Sequence, residues 1–234
     1  MPIAHTLRIL FALLLLAAGV QWLFVSVPHR PEDLPWTPLD LRAPVGLSTG
    51  RKLAALGHAP ALCRSLLEAA DVAFRRLSPR VDGAACGWTD AVRLRTALRP
   101  PVPLSCPLAA SFTVWMREVV QPAAADLLGA RVIGVDDLGS YACRAIRGAP
   151  DGGWSEHATA NAVDVSGFRL TDGRRVTMAR DWRNGARGRF LHAVRDGACR
   201  LFATTLSPDY NAAHRDHLHL DEARRGEFGW RACG

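Results

Sequence analysis

The 234-residue sequence has six cysteines but no C-x-x-C pair. That absence argues against a cysteine zinc site of the finger or ribbon type, which needs closely paired thiolates. No internal repeat is visible, which excludes solenoid and propeller architectures. No nucleic-acid-binding motif accompanies the formal net charge of +7. The basic excess is mostly arginine and is scattered along the chain, so nucleic acid is not an expected partner. A basic surface facing anionic lipid or cell-wall polymer accounts for it, and so does an arginine-rich composition with no function attached. Hydrophobic residues are not scarce: at 49% they suffice for a core and exclude wholesale disorder.

The N-terminus indicates where the chain resides. His5 and Arg8 precede an apolar run from Ile9 to Val27, interrupted only by Gly19, Gln21 and Ser26. The run is about as long as a bilayer span requires. It exceeds the usual apolar core of a cleaved signal peptide, and no clear A-x-A site follows. Residues 1–28 therefore read as an uncleaved signal-anchor, with the short basic end in the cytoplasm and the remainder outside. A cleaved signal peptide that releases the body is the alternative. Either way the body is exported. Cys63, Cys86, Cys106, Cys143, Cys199 and Cys233 are widely spaced and even in number, which fits disulfides in an oxidising compartment. Their spacing does not choose the pairing.

Residues 29–50 carry Pro31, Pro35, Pro38 and Pro44 without periodicity and read as an extended linker. Residues 51–234 form the expected domain. Leu62, Leu66, Ala70, Ala73 and Leu77 recur at helical spacing after Pro60, predicting a helix stopped by Pro79. Leu108, Phe112, Trp115 and Val119 predict a second, from about 108 to 128, divided or kinked by Pro122 and ended by Gly129. Beyond Arg131 the pattern becomes short strands: 132–135, 162–168 and 174–178, the last two joined by a Thr171-Asp172-Gly173 turn. A helix over about 188–196 and a last strand at 217–220 follow. Helices first, then an antiparallel sheet with one helix inserted, give an α+β fold.

Three of the eight histidines fall within His214-Arg215-Asp216-His217-Leu218-His219. A fourth, His157, lies seven residues before Asp164. Histidine and aspartate are zinc ligands, and three protein ligands with an open position make a catalytic zinc site. Strand alternation gives these residues a geometry. Val163 and Val165 share one face and Asp164 and Ser166 the other; Leu218 and Leu220 oppose His217, His219 and Asp221. With the valines and leucines in the core, two such strands side by side bring Asp164 near His219. His157, in the loop before the first strand, can fold over the same spot. Asp216 is expected on the opposite strand face from His217, which disfavours it as a base.

The segment Ser155-Glu156-His157-Ala158-Thr159-Ala160-Asn161-Ala162-Val163-Asp164 resembles the S-x-H-x-x-G-x-A-x-D signature of zinc peptidases that cut bacterial peptidoglycan. That superfamily includes D,D-carboxypeptidases, D-Ala-D-Ala dipeptidases and penicillin-insensitive murein endopeptidases. His214-x-x-His217-x-His219 is similar to the endopeptidase branch. Gly139-Ser140-Tyr141-Ala142-Cys143-Arg144 and the run Asn211 to Asp221 resemble the bacterial extensin-like C-terminal domain family, over roughly residues 60–234. The chain lacks the Ser-Pro repeats of a plant wall glycoprotein. Ala160 departs from the signature glycine, and Asp216-His217 stand where many carboxypeptidases place a general-base Glu. Glu156 is the carboxylate nearest a ligand in sequence, at a position that varies among the resembling families.

The resemblance implies a small antiparallel sheet bearing a zinc site (Zn2+), packed with N-terminal helices. It implies His157, Asp164 and His219 as ligands and His217 as the general base or transition-state stabiliser. His214 would orient its neighbours or touch substrate, and Arg144 would face the substrate or the developing oxyanion. The implied function is a zinc metallopeptidase, anchored in the inner membrane with a periplasmic domain, acting on peptidoglycan peptides. The alternative is a non-catalytic wall-binding or structural module whose metal is closed by a fourth ligand, His217 or His214. The bond cleaved and the oligomeric state are not set by the sequence.

Overall fold

The computed structural model describes residues 2–26, 30–95, 98–146, 152–225 and 230–234; the boundary expected at residues 28 and 29 lies outside them. The first helix, α1 (Pro2–Ser26), is long and apolar enough to cross a membrane.

The proline-rich stretch that follows is folded rather than extended. Asp33 Oδ1 accepts the Leu47 N–H at 2.8 Å, and Lys52 Nζ donates to the Pro31 carbonyl at 3.0 Å. The Arg117 guanidinium donates to the carbonyls of Leu41 and Ala43, and Leu41 is buried. A proline-rich backbone has few donors of its own, so distant side chains satisfy its carbonyls. Those partners lie far away in sequence and no local pattern announces them.

Two short helices come next, α2 (Thr49–Ala55) and α3 (Pro60–Ala69). The expected continuation of α3 to Leu77 does not occur. Asp71 takes a left-handed conformation at φ 54°, which breaks the helix. Ala73 and Leu77 instead hydrogen-bond to Arg95 and Ala91 around the ribbon of β1 (Phe74–Arg76) and a later strand. After the hairpin β2 (Arg80–Val81) and β3 (Gly87–Trp88), that later strand, β4 (Val92–Leu94), pairs antiparallel with β1.

The long central helix is α4 (Cys106–Trp115) and α5 (Gln121–Leu128), joined by a π-helical stretch at Met116–Val120. The expected kink at Pro122 takes this form. Proline lacks the N–H and its ring crowds the preceding turn, which the wider π turn accommodates. Gly129, at φ 64°, ends the helix as expected.

The main sheet contains β5 (Leu98–Arg99), β6 (Val132–Asp137), β7 (Ala162–Leu170), β8 (Arg175–Thr177), β9 (Thr204–Leu206), β10 (Leu218–Asp221) and β11 (Ala232–Cys233). Its order is β11-β9-β10-β7-β6-β5, with β8 also on β7. The central pairs are antiparallel; β5 and β11 add parallel edges. Between β8 and β9 come the short α6 (Met178–Asp181) and the long α7 (Gly185–Leu201). The architecture is α+β.

The helices cover one face of the sheet. Val163, Val165, Leu218 and Leu220 are fully buried there. Trp115, Phe112, Phe168, Phe190 and Phe202 form a contiguous aromatic cluster, and Trp115 Nε1–H donates to the Val194 carbonyl at 2.9 Å. The cysteines pair as Cys63–Cys106, Cys86–Cys143 and Cys199–Cys233. The first joins α3 to α4 and the third joins α7 to β11. The second clamps the β2–β3 hairpin to the segment that leads toward His157.

Candidate metal centre

β10 and β7 lie antiparallel with His219 directly opposite Asp164. Their side chains leave the sheet on the face away from the helices, as alternation requires once the valines and leucines are buried. His157 sits on a single 3-10 turn, Glu156–Thr159, just before β7. Ser155 caps that turn by accepting the His157 N–H, and the chain then reverses at Ala160. Ala160 has φ 55°, a left-handed conformation that glycine adopts without strain. This explains why the resembling signature has glycine here. Ala160→Gly should raise stability by up to about 1 kcal/mol, the relieved strain being partly offset by glycine's chain entropy. A lower melting temperature for A160G than for the parent would contradict this.

Three ligand-type atoms converge. His219 Nδ1 is 2.9 Å from Asp164 Oδ1, His157 Nε2 is 3.2 Å from His219 Nδ1, and His157 Nε2 is 3.3 Å from Asp164 Oδ1. Tetrahedral donors at zinc-like bond lengths of about 2.0–2.1 Å sit about 3.3 Å apart, so the triangle has the dimensions of one face of a metal shell.

Proton bookkeeping supports the same fit. His157 Nδ1 faces the Ser140 carbonyl at 3.2 Å, and a carbonyl can only accept, so Nδ1 carries the proton and Nε2 is bare. His219 Nε2 faces Asp221 Oδ2 at 3.0 Å, which places a proton on that nitrogen. Two imidazole lone pairs and a carboxylate can then share one cation. The outer partners, Ser140 and Asp221, fix ring orientation and tautomer as second-layer groups do around metals. These residues could hold a metal ion.

Without an ion, the gap between His219 and Asp164 holds a proton. Burial disfavours charge on His219, but its bonds to Asp164 and Asp221 prevail and raise its pKa to about 9. Burial also opposes ionisation of Asp164, yet the neighbouring imidazoles, above all the hydrogen bond from His219, outweigh it and hold the carboxyl well below the usual range. An incoming ion must therefore displace the His219 Nδ1 proton. We expect about one proton released per ion at pH 7, with apparent affinity rising about tenfold per pH unit toward pH 9. Calorimetry in buffers of different ionisation enthalpy measures this; proton-neutral binding at pH 7 would rule it out.

The other expected site residues surround this triangle. His217 Nε2 lies 3.7 Å from Asp164 Oδ1, and its Nδ1 is 2.9 Å from Asp216 Oδ1. The expectation that Asp216 points away from His217 fails. Residues 212–217 form a 3-10 turn and loop, and β10 begins only at Leu218, so strand alternation does not apply to Asp216. His214 is held by Asn211 Oδ1 at 2.8 Å and its ring lies 5.2 Å from that of His217. Burial first, then the neighbouring His217 and His219, lower its pKa to about 4. Arg144 lies exposed on the segment whose carbonyl bonds the Ser155 N–H, and its charge acts on His214. Glu156 turns to Asn161 Nδ2 at 2.5 Å and braces the loop.

Asp221, Ser140, Asn211 and Tyr210, whose ring lies 5.6 Å from that of His214, were not among the expected site residues. Asp221 was legible, since it shares a strand face with His219 two residues earlier. Ser140 acts through its backbone carbonyl, which no residue type signals. Comparison with curated proteins and with solved structures gave no match. The family described as extensin-like protein C-terminus matches residues 61–234, and the chain belongs to that family.

Proposed function

We propose that the protein is a zinc-dependent peptidase acting on peptidoglycan peptides, with α1 anchored in the inner membrane and the body in the periplasm. The observation that carries this reading is the convergence of His157 Nε2, His219 Nδ1 and Asp164 Oδ1 with both imidazole tautomers fixed, beside a further imidazole at His217. The apolar α1 and the three disulfides support an exported location. The resemblance to peptidoglycan peptidases supplies the substrate class.

A divalent ion held by His157, Asp164 and His219 would supply Lewis acidity, polarising a carbonyl oxygen and acidifying a water. The chain's own residues do the rest. His217 donates Nδ1–H to Asp216, which leaves Nε2 bare toward the site. That nitrogen takes a proton from the attacking water as its oxygen bonds to the scissile carbon. It returns the proton to the leaving nitrogen as the C–N bond breaks. His214 stays neutral at pH 7 and offers a hydrogen bond. Arg144, exposed and close enough for its charge to act on His214, serves anionic groups of the substrate or the developing oxyanion.

One observation favours a second reading. His217 Nε2 is close enough to Asp164 to fill a fourth position and close the shell, as in a structural site. The protein would then be a wall-binding module. The test is to incubate full-length, zinc-loaded protein with purified peptidoglycan and muropeptides and to analyse the products by mass. New fragments that vanish on chelation are expected. An unchanged profile with stoichiometrically loaded protein would sink the peptidase.

A further inference from the structure

A second charged feature lies outside the metal centre, on the ribbon of β1 and β4. Arg75 and Arg93 occupy directly opposite positions in this antiparallel pair. Like charges placed so are repulsive, by about 0.2–1 kcal/mol. Together with Arg95, Leu94 and Pro101 they line a cavity of ≈ 440 Å³. Among the described residues, none of the three arginines has a carboxylate partner, and Arg93 Nε is buried with no hydrogen-bond acceptor.

The neighbouring acids do not relieve this. Glu68 is taken by Arg76 at 2.9 Å, and Asp71 borders the adjoining hollow with Arg95 without forming an ion pair. The backbone is well fixed. Arg95 N–H donates to the Ala73 carbonyl at 2.9 Å, and β4 is flanked on its other side by the bridge between Val92 and Leu104. Buried Leu94 gives the cavity an apolar wall. Three guanidinium groups without carboxylate partners around one hollow of ligand size present the chemistry of an anion site. The guanidinium fork matches the oxygens of phosphate.

We propose that Arg75, Arg93 and Arg95 form a phosphate-binding site, separate from the metal centre and independent of any peptidase activity. Its ligand is a phosphate group, either the free anion or the headgroup of an anionic lipid. An anion there removes the repulsion across the ribbon.

The test uses the full-length protein in zwitterionic detergent. Its melting temperature and its binding heat are followed with sodium phosphate, with sodium chloride at equal ionic strength, and with dihexanoyl phosphatidylglycerol against dihexanoyl phosphatidylcholine. We expect saturable stabilisation by phosphate or by phosphatidylglycerol, and none by chloride or phosphatidylcholine. A response to inorganic phosphate identifies the free anion as sufficient; a response to phosphatidylglycerol alone identifies the lipid headgroup. Arg75→Gln, at an exposed position, and Arg93→Gln should each weaken that binding by at least about tenfold. Without phosphate, Arg75→Gln should melt no lower than the parent, because it removes the opposed charge. Equal responses to phosphate and chloride, or Arg75→Gln and Arg93→Gln proteins that bind like the parent, would overturn the proposal.

Discussion

His219→Ala is expected to reduce divalent-metal affinity at least about a hundredfold while leaving the fold in place. Binding free energies at protein zinc sites are about 10–16 kcal/mol, so each of three or four donors accounts for about 3–4 kcal/mol, or two to three decades in affinity. The substitution also strands Asp164 and Asp221, which both bond to the His219 ring. The core behind β10 survives because Leu218 and Leu220, not His219, fill it. Asp221→Asn should have a smaller effect, about tenfold to a hundredfold, since it only orients the ring. Metal content by mass spectrometry and affinity by competition with a chelator check both. Parental affinity in His219→Ala would show that the triangle is not a metal site.

His217→Ala carries the second large effect. If His217 moves the proton, kcat for muropeptide cleavage should fall by about 10²–10⁴-fold with metal content unchanged. If it closes a structural shell instead, the same substitution should release the metal. Asp216→Asn separates positioning from proton transfer. It keeps a partner at His217 Nδ1 but removes the negative charge that supports the imidazolium, so it should lower kcat and shift its pH profile while KM stays near the parent value. A kcat for His217→Ala equal to the parent would remove the assigned role.

The strongest inference available from the sequence was the pairing of Asp164 with His219. It worked because a strand has a side-chain period of two, and because Val163, Val165, Leu218 and Leu220 left only one way to bury the apolar set. The same rule failed one turn upstream. Extending strand alternation back to Asp216 puts it on the face opposite His217, but the chain there is still turning, and the carboxylate swings back to His217. The apparent helix from 60 to 77 misled for a related reason: Ala73 and Leu77 match a helical spacing by chance, and the left-handed Asp71 ends the helix before them. The folding of residues 30–50 was not legible at all. It depends on Arg117, more than seventy positions away, reaching the carbonyls of Leu41 and Ala43.

That folded segment shortens the connection between α1 and the body. The helix α1 ends at Ser26, and the packed chain already begins at Pro31. The intervening residues, even fully stretched, span less than about 20 Å. An extended linker over 29–50 would have let the body sample a wide volume around the end of α1. On the proposed anchoring of α1 in the bilayer, the body would be confined to a thin layer at the membrane surface. On the proposed function, substrate arriving in that layer would meet the candidate metal centre at a high effective concentration, whereas polymer farther out would lie beyond its reach.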